Sequence, residues 1–483
     1  MRLRPHRAHP RSADRDFLFP AAARRAIHAR RVRAAAVARR SRRGSTRAFR
    51  VLTSSIPSFP RPVERRSVRT DAFASVKKRF PRARPRRHAP PTTAATMAGN
   101  PAPRDADMVV MKPKEIGDAD FANYFCTYGY LYHQKDMLED QARMTAYHNA
   151  VRMNPRSFKD KVVLDVGTGS GILAIWAAQN GAKKVYAVEA TYMATHARKL
   201  IKANGLDHVI EVLQSTVEEV ELPEKVDVII SEWMGYFLLR ESMFDSVIVA
   251  RDRWLKEGGA MFPSHAKMYL APIRTGTAAQ KHADYEDSCA GWDEFADQTL
   301  NTYGVDMRAL TEPFEQEQTE FFMNTSAWVD VHPSQVLGST CLLKEYDLHT
   351  VTLEEMKAVD VPFELKILDA PGPNGPAQVG AFCGWFDVSF KGSGANPNET
   401  DVELTTAPDA NGATHWGQQA FYVHPSISAA DGNVLQGRLE LKRKQENQRL
   451  YDLRLSWKQG AGEGGAFVAN EDIGNESNVW HIE

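Results

Sequence analysis

The spacing of apolar positions changes along this chain, and each change predicts a different architecture. Val162–Val166, Lys184–Ala190, Val209–Ser215 and Val226–Ile230 are short, nearly continuous apolar runs. Runs of that kind suit strands buried on both faces of a parallel sheet. Between the first two, a helix is expected over roughly Ile172 to Asn180, closed by Gly181, where a left-handed cap fits. Helices are also expected from Asp136 to Val151, ending near Asn154-Pro155, and from Glu241 to Trp254, with Gly258-Gly259 as the stop signal. Past Phe262-Pro263-Ser264 the pattern becomes short alternating strands such as 267–271 and 384–388, separated by glycine- and proline-rich turns such as 371–375. That predicts an antiparallel barrel or sandwich. From about Thr275 to Ala327 the reading turns helical, with aromatics at Tyr285, Trp292, Phe295 and Tyr303.

The first 96 residues show no sustained periodicity, and composition sets them apart. They hold 25 Arg and 2 Lys against 4 acidic residues, a balance of +23, which leaves the remainder at −22 although the whole chain carries only +1. Such a segment is expected to be disordered. It reads as an upstream start codon ahead of Met97, as a transit peptide, or as a basic tail for nucleic acid; the first is preferred. An acidic body would attract basic, arginine-rich partners and is not expected to bind nucleic acid directly. At 483 residues two or three domains are expected. No apolar run is long enough to predict a membrane helix. Four scattered cysteines, Cys126, Cys289, Cys341 and Cys383, lack metal spacing and suit a reducing compartment, so no metal site is expected.

Two motifs carry candidate chemistry. After the first run comes Gly167-Thr168-Gly169-Ser170-Gly171, preceded by Asp165, and the second run ends at Glu189. Glycines let the backbone approach a ligand, and an acid at the end of the second strand can accept hydrogen bonds from both hydroxyls of a ribose. The spacing is G-x-G-x-G, with Ile172 where a dinucleotide fingerprint needs its third glycine. An acid beside the loop also suits an amino-acid-bearing ligand better than a pyrophosphate, which favours S-adenosylmethionine over a nicotinamide dinucleotide. The other motif is Ser231–Glu241, where Glu232 and Glu241 flank an aromatic loop containing Gly235. Two carboxylates on opposite limbs of a loop can grip a planar cation, and guanidinium pairs with carboxylates bidentately.

These segments, with Tyr124–Tyr128, Val217-Glu218-Glu219 and Thr414-His415-Trp416, resemble the protein arginine methyltransferases from about Tyr124 to the C-terminus. The resemblance implies an α/β fold: a Rossmann-like S-adenosylmethionine-dependent methyltransferase domain at 159–262, followed by an antiparallel β-barrel domain at 263–483 with a helical dimerisation arm at about 275–327. It places N-terminal helices over the cofactor at 111–158, after a basic extension at 1–110. For the cofactor it implies Gln134 (with His133 displaced by one position), Arg143, Asp165, Gly167, Gly169, Gly171, Glu189, Val217 and Glu218. Glu232 and Glu241 would clamp the substrate, and His415 paired with Asp140 would relay the proton. Tyr124, Tyr128, Met137, Met243 and Trp416 would form the substrate pocket. The implied reaction is methyl transfer to protein arginines, giving monomethyl and, by resemblance of the paired methionines to the type I branch, asymmetric dimethylarginine. Histone tails and RG-rich RNA-binding proteins are the implied substrates, which brings in chromatin regulation, and a homodimer is implied through the arm. Cytoplasm and nucleus are the expected locations, or chloroplast if residues 1–96 are a transit peptide. Two other readings stand beside this one. A small-molecule methyltransferase would have no use for two glutamates, and a non-catalytic scaffold would have no use for an intact cofactor set.

Overall fold

The computed structural model describes residues 124–368, 375–460 and 476–482. The expectations for residues 1–96, and the turn expected at 371–374, lie outside them. The four apolar runs form strands β1 (Val162–Val166), β2 (Lys184–Glu189), β3 (Ile210–Gln214) and β4 (Val226–Ser231), and β5 (Leu255–Phe262) completes the sheet. All pairings are parallel, in the order β3-β2-β1-β4-β5. β1 is buried along its whole length, as expected of a central strand covered on both faces. The order reverses between β1 and β2 on one side and β4 on the other, and a ligand crevice opens at the carboxyl ends there. Glu189 ends β2 and Glu232 follows β4, so both leave the sheet at that crevice.

Two expected helices differ in detail. The segment 136–151 is broken in two, α1 (Leu131–Leu138) and α2 (Gln141–Arg152). Asp140 separates them because its carboxylate accepts the Arg143 amide as an N-cap, a role that favours extended backbone at that residue. The helix expected from Glu241 begins two residues later, at Met243, and runs to Trp254. Gly258 and Gly259 do not stop it. They lie inside β5, which starts at Leu255, directly after the helix.

Beyond Pro263 the strands are antiparallel. One sheet has the order β7 (Ala327–Val329), β12 (Gln418–Ala429), β10 (Ala377–Gly392), β6 (His265–Ile273), β8 (Cys341–Asp347), with β11 (Pro397–Thr405) also on β10. The other has the order β15 (Glu476–Ile482), β14 (Tyr451–Gly460), β13 (Val434–Arg443), β9 (Ala358–Lys366). Single bridges join the two sheets at both seams, Gly338 to Ile367 and Thr325 to His481. This is consistent with the expected barrel, although the seams carry bridges rather than continuous ladders. Phe382, Phe386, Phe390, Leu439, Leu455 and Trp480 are buried in the interior.

The helical insertion consists of Thr277–Tyr303 and Thr311–Phe322. They pack through Trp292 stacked on Phe314 at 4.5 Å, and the Trp292 indole N–H donates to Thr311 Oγ1 at 2.9 Å. Of the 27 residues in the first helix, only Ala278 and Ala296 are buried, and none is in the second.

Candidate active site

A cavity opens at the carboxyl ends of the parallel strands. Gly167, Gly169, Glu189, Val217 and Glu218 line it together with Glu232 and Glu241. Gln134, Met137, Arg143, Met243, Tyr124 and Tyr128 line it too. The glycine loop and the paired acids, about sixty residues apart in sequence, therefore face one space.

The loop after β1 depends on its glycines. Gly167 and Gly169 adopt φ of 69° and 55°, which side chains rarely tolerate. A Cβ on Gly167 would overlap the Met243 methyl, and one on Gly169 would come within 2.8 Å of the Gln134 carboxamide oxygen. Glu189 fastens the same loop, accepting the Gly169 and Thr191 amides at 2.9 and 2.8 Å. His133 instead packs tilted against Tyr132, ring centroids 4.3 Å apart, while Gln134 is buried at the cavity wall.

Two residues expected at the cofactor stand behind the loop. Asp165 is fully buried, accepting from the Thr168 hydroxyl at 2.5 Å and the Ala174 amide at 3.0 Å. It props the turn and does not line the cavity. Desolvation pushes its carboxyl up to about 7 against those hydrogen bonds, and its Oδ1 is buried without a partner. Gly171 is likewise a packing glycine, whose absent Cβ leaves room for Ile201 and Ala197.

The acidic loop is tightly folded. Gly235 and Leu238 exchange both backbone hydrogen bonds at 3.0 Å, and any Cβ on Gly235 would overlap the Arg240 carbonyl. Phe237, Leu238, Glu241 and Ser242 all have positive φ, from 48° to 80°, a conformation costly for residues with a Cβ. The surroundings hold it. The Trp416 indole donates to the Met234 carbonyl at 2.7 Å, so Trp416 braces the loop from behind and does not line the cavity. The Glu241 amide donates to the Arg449 carbonyl at 2.8 Å, and Ser242 Oγ donates to the Gln448 carbonyl at 2.6 Å.

Each acid meets resident partners. Glu232 Oε2 receives Arg143 Nε and Nη2 at 3.0 and 2.7 Å, and both side chains are about nine-tenths buried. Arg143, expected at the cofactor carboxylate, thus contacts a clamp acid. Glu241 accepts from the Tyr128 hydroxyl at 2.7 Å and pairs with Arg240 at 3.3 Å. Burial pushes its carboxyl above the ordinary range, and nearby Glu232 adds to this. Arg240, the Tyr128 hydrogen bond and Arg449 pull the other way. His415 Nδ1 meets Asp140 Oδ2 at 2.7 Å, as expected of the pair, and the His415 amide donates to the same oxygen at 2.8 Å. Burial opposes ionisation of Asp140, but the His415 and Arg143 contacts outweigh it and hold the carboxyl down at about 2. Neither His415 nor Asp140 lines the cavity. Asp140 also caps the helix that presents Arg143 to Glu232.

Sequence reasoning missed Arg449 and Arg240. Arg449 sits in a polar hairpin loop with no local signal. Arg240 is adjacent to Glu241 and buried, and an arginine inside an otherwise apolar loop was a readable hint.

Comparison with known proteins places this geometry. A family described as the arginine methyltransferase oligomerization subdomain matches residues 264–462, and the ribosomal protein L11 methyltransferase family matches residues 145–251. Protein arginine N-methyltransferase PRMT10 of Oryza sativa subsp. japonica is 52% identical over 341 residues, covering 70% of this chain and 88% of the rice protein. Protein arginine N-methyltransferase 6 of Danio rerio is 38% identical over 335 residues, covering 69% and 88%. Among solved structures, the open conformation of Arabidopsis thaliana protein arginine methyltransferase 10 aligns with a TM-score of 0.71 at 49% identity, covering 74% of this chain and 100% of that one. The Trypanosoma brucei PRMT1 enzyme–prozyme heterotetramer with AdoHcy aligns with a TM-score of 0.60 at 31% identity, covering 74% and 100%.

Proposed function

The chain belongs to the protein arginine N-methyltransferase family, and from that premise we propose that its two cavity glutamates hold a protein arginine for methylation, giving mono- and asymmetric dimethylarginine. The observation that carries this is the placement of Glu232 and Glu241 on the same cavity as the glycine loop and Glu189. The donor set fits S-adenosylmethionine: a positive-φ glycine turn at Gly167 and Gly169 that exposes backbone to the cavity, and a carboxylate at the end of β2 for the ribose. Gln134, Val217 and Glu218 complete that wall. When bound, the cofactor supplies an electrophilic sulfonium methyl.

The residues of the chain supply the rest. A guanidinium is protonated at neutral pH and its lone pairs are delocalised. Carboxylates on its outer nitrogens localise the charge there and leave one nitrogen free to attack. Orientation of this kind contributes several kcal/mol, and fixed charges add more. Tyr128 and Arg240 hold Glu241 in place, and Arg143 holds Glu232 until a substrate nitrogen competes for it. Met137 and Met243 line the same cavity, and flexible thioether walls suit a nitrogen that already carries one methyl. The proton lost from the product passes to a clamp carboxylate, and the His415–Asp140 pair one layer behind is the onward acceptor. Basic substrates such as histone tails and RG-rich RNA-binding proteins suit the acidic body, in cytoplasm and nucleus.

The arm supports a homodimer. Tyr303 and Phe321 are 78% and 63% exposed, and aromatic anchors of this kind commonly fill interface pockets. Incubation with S-adenosylmethionine and an arginine-rich peptide, followed by mass spectrometry, tests the reading. Asymmetric dimethylarginine is expected, with no transfer to the lysine counterpart. Symmetric dimethylarginine as the main product would overturn the type I assignment.

A further inference from the structure

The loop between β13 and β14 lies about two hundred residues beyond the acidic loop in sequence, yet it is fastened to it. It is stiffened from within. Lys444 and Leu450 are bridged through the main chain at 2.9 Å, and the Arg449 amide donates to Asn447 Oδ1 at 2.9 Å. Near its end, Arg449 makes three different contacts with the site. Its carbonyl accepts the Glu241 amide at 2.8 Å, and its Nη1 donates to the Glu241 carbonyl at 2.7 Å. Its guanidinium lies over the Tyr124 ring, 3.8 Å from the centroid.

We propose that Arg449 is a positioning residue that fastens the short helical segment at 124–128, which bears Tyr124 and Tyr128, to the turn carrying Glu241. The proposal rests on the methyltransferase reading above and extends it to a residue remote in sequence. Glu241 and Ser242 are consecutive residues at φ of 80° and 54°, a conformation that relaxes unless something outside the turn holds it. Arg449 holds both polar groups of the Glu241 backbone, which fixes the direction of its carboxylate. The same guanidinium covers one face of Tyr124, whose ring lies 4.8 Å from that of Tyr128, and Tyr128 in turn donates to the Glu241 carboxylate. The result is a closed circuit of four groups: Glu241 backbone, Arg449, Tyr124 and Tyr128, returning to the Glu241 carboxylate. A substrate arginine held by Glu241 would therefore be covered by a lid that is anchored to its own clamp.

Arg449 also places a positive charge beside an acid that must stay ionised. The charged and titratable groups facing Glu241 are Arg240, Tyr128, Tyr124, Glu232 and Arg449. Removing the Arg449 charge leaves burial and Glu232 less opposed, so the acid limb of the rate profile moves to higher pH. A lysine keeps the charge but loses the flat face and the fork that reaches the carbonyl. A methionine keeps bulk over the ring and loses the charge.

The test measures kcat and KM for an arginine-rich peptide across pH, with cofactor affinity, for wild type, Arg449→Ala, Arg449→Lys and Arg449→Met. The alanine variant should lose about 10- to 100-fold in kcat/KM, the scale of one charged hydrogen bond plus one cation–π contact, with its acid limb displaced upward. The lysine variant should restore the acid limb while keeping most of the rate loss, and the methionine variant should keep the limb displaced. If alanine also abolishes cofactor binding, lysine against methionine decides on the limb alone. Rates within twofold of wild type, or an acid limb unmoved in both uncharged variants, would overturn the proposal. An inactive wild type would instead sink the reading on which it rests.

Discussion

Asp165 and Glu241 are both acids whose burial opposes ionisation, and their surroundings assign them different work. Glu241 has Arg240, Arg449 and Tyr128 to keep it charged, as an acid that holds a guanidinium must be. Asp165 has only the Thr168 hydroxyl and the Ala174 amide, and its carboxyl rises to about 7. Because that value lies above the ordinary 3.8, the native state keeps a proton that the unfolded chain has released. Stability of the ligand-free protein should therefore fall as pH rises from about 4 to 7, with the loss complete above that window. Asp165→Asn cannot ionise and should flatten this dependence. The measurement is Tm against pH for both proteins, and parallel curves would count against the assignment. The sequence made Glu232 and Glu241 legible because each flanks a strand-end loop, where a charged side chain has few structural uses. It misled at Asp165 and Gly171, because a motif marks which residues shape a loop without saying which of them face the ligand. Trp416, His415 and Asp140 sit one layer behind the residues that line the cavity.

The acidic loop is the element on which the site turns. Its four positive-φ residues with side chains are tolerated because Trp416, Gln448 and Arg449 hold the backbone from outside. Gly235 is the position with no slack, because any Cβ there falls on the Arg240 carbonyl. Gly235→Ala should cost about 3 kcal/mol or more, as backbone strain in a packed site does, and should lower activity about 100-fold or more. Cofactor binding should weaken less, because the glycine loop is a separate turn. Urea unfolding and calorimetric titration check the two halves, and an alanine variant of normal stability and turnover would contradict the geometry. The strands and the insertion helices were readable from periodicity. The break at Asp140 was not, because apolar spacing continues across it while the cap is decided by one side-chain hydrogen bond. Gly258 and Gly259 were misread as a stop because a glycine's effect depends on whether the following residues find a strand partner, and here β4 supplies one.

At the scale of the whole molecule, the site is closed by contacts between residues far apart in sequence. Tyr128 reaches Glu241 across 113 residues, and His415 reaches Asp140 across 275. No local pattern encodes such pairings, which is why the resemblance located His415 and Asp140 while nothing located Arg449. The arm poses the opposite case, since its apolar surface was visible in sequence but has no cover within the described residues of the chain. Replacing Tyr303 and Phe321 with serine should weaken self-association by about 1–2 kcal/mol per aromatic anchor. Sedimentation velocity over a dilution series reads this directly, and an unchanged association constant would remove the arm from the interface.

The central claim is that Glu232 and Glu241 together aim a substrate guanidinium at the cofactor's methyl group. The most direct measurement is methyl transfer to an arginine-rich peptide by Glu232→Gln and Glu241→Gln, with S-adenosylmethionine affinity determined alongside. Near-normal affinity is expected for Glu241→Gln, affinity within a few-fold for Glu232→Gln, and turnover lower by about 100-fold or more in each, the scale of losing a charge-positioning group. Near-normal turnover in either variant would contradict that claim.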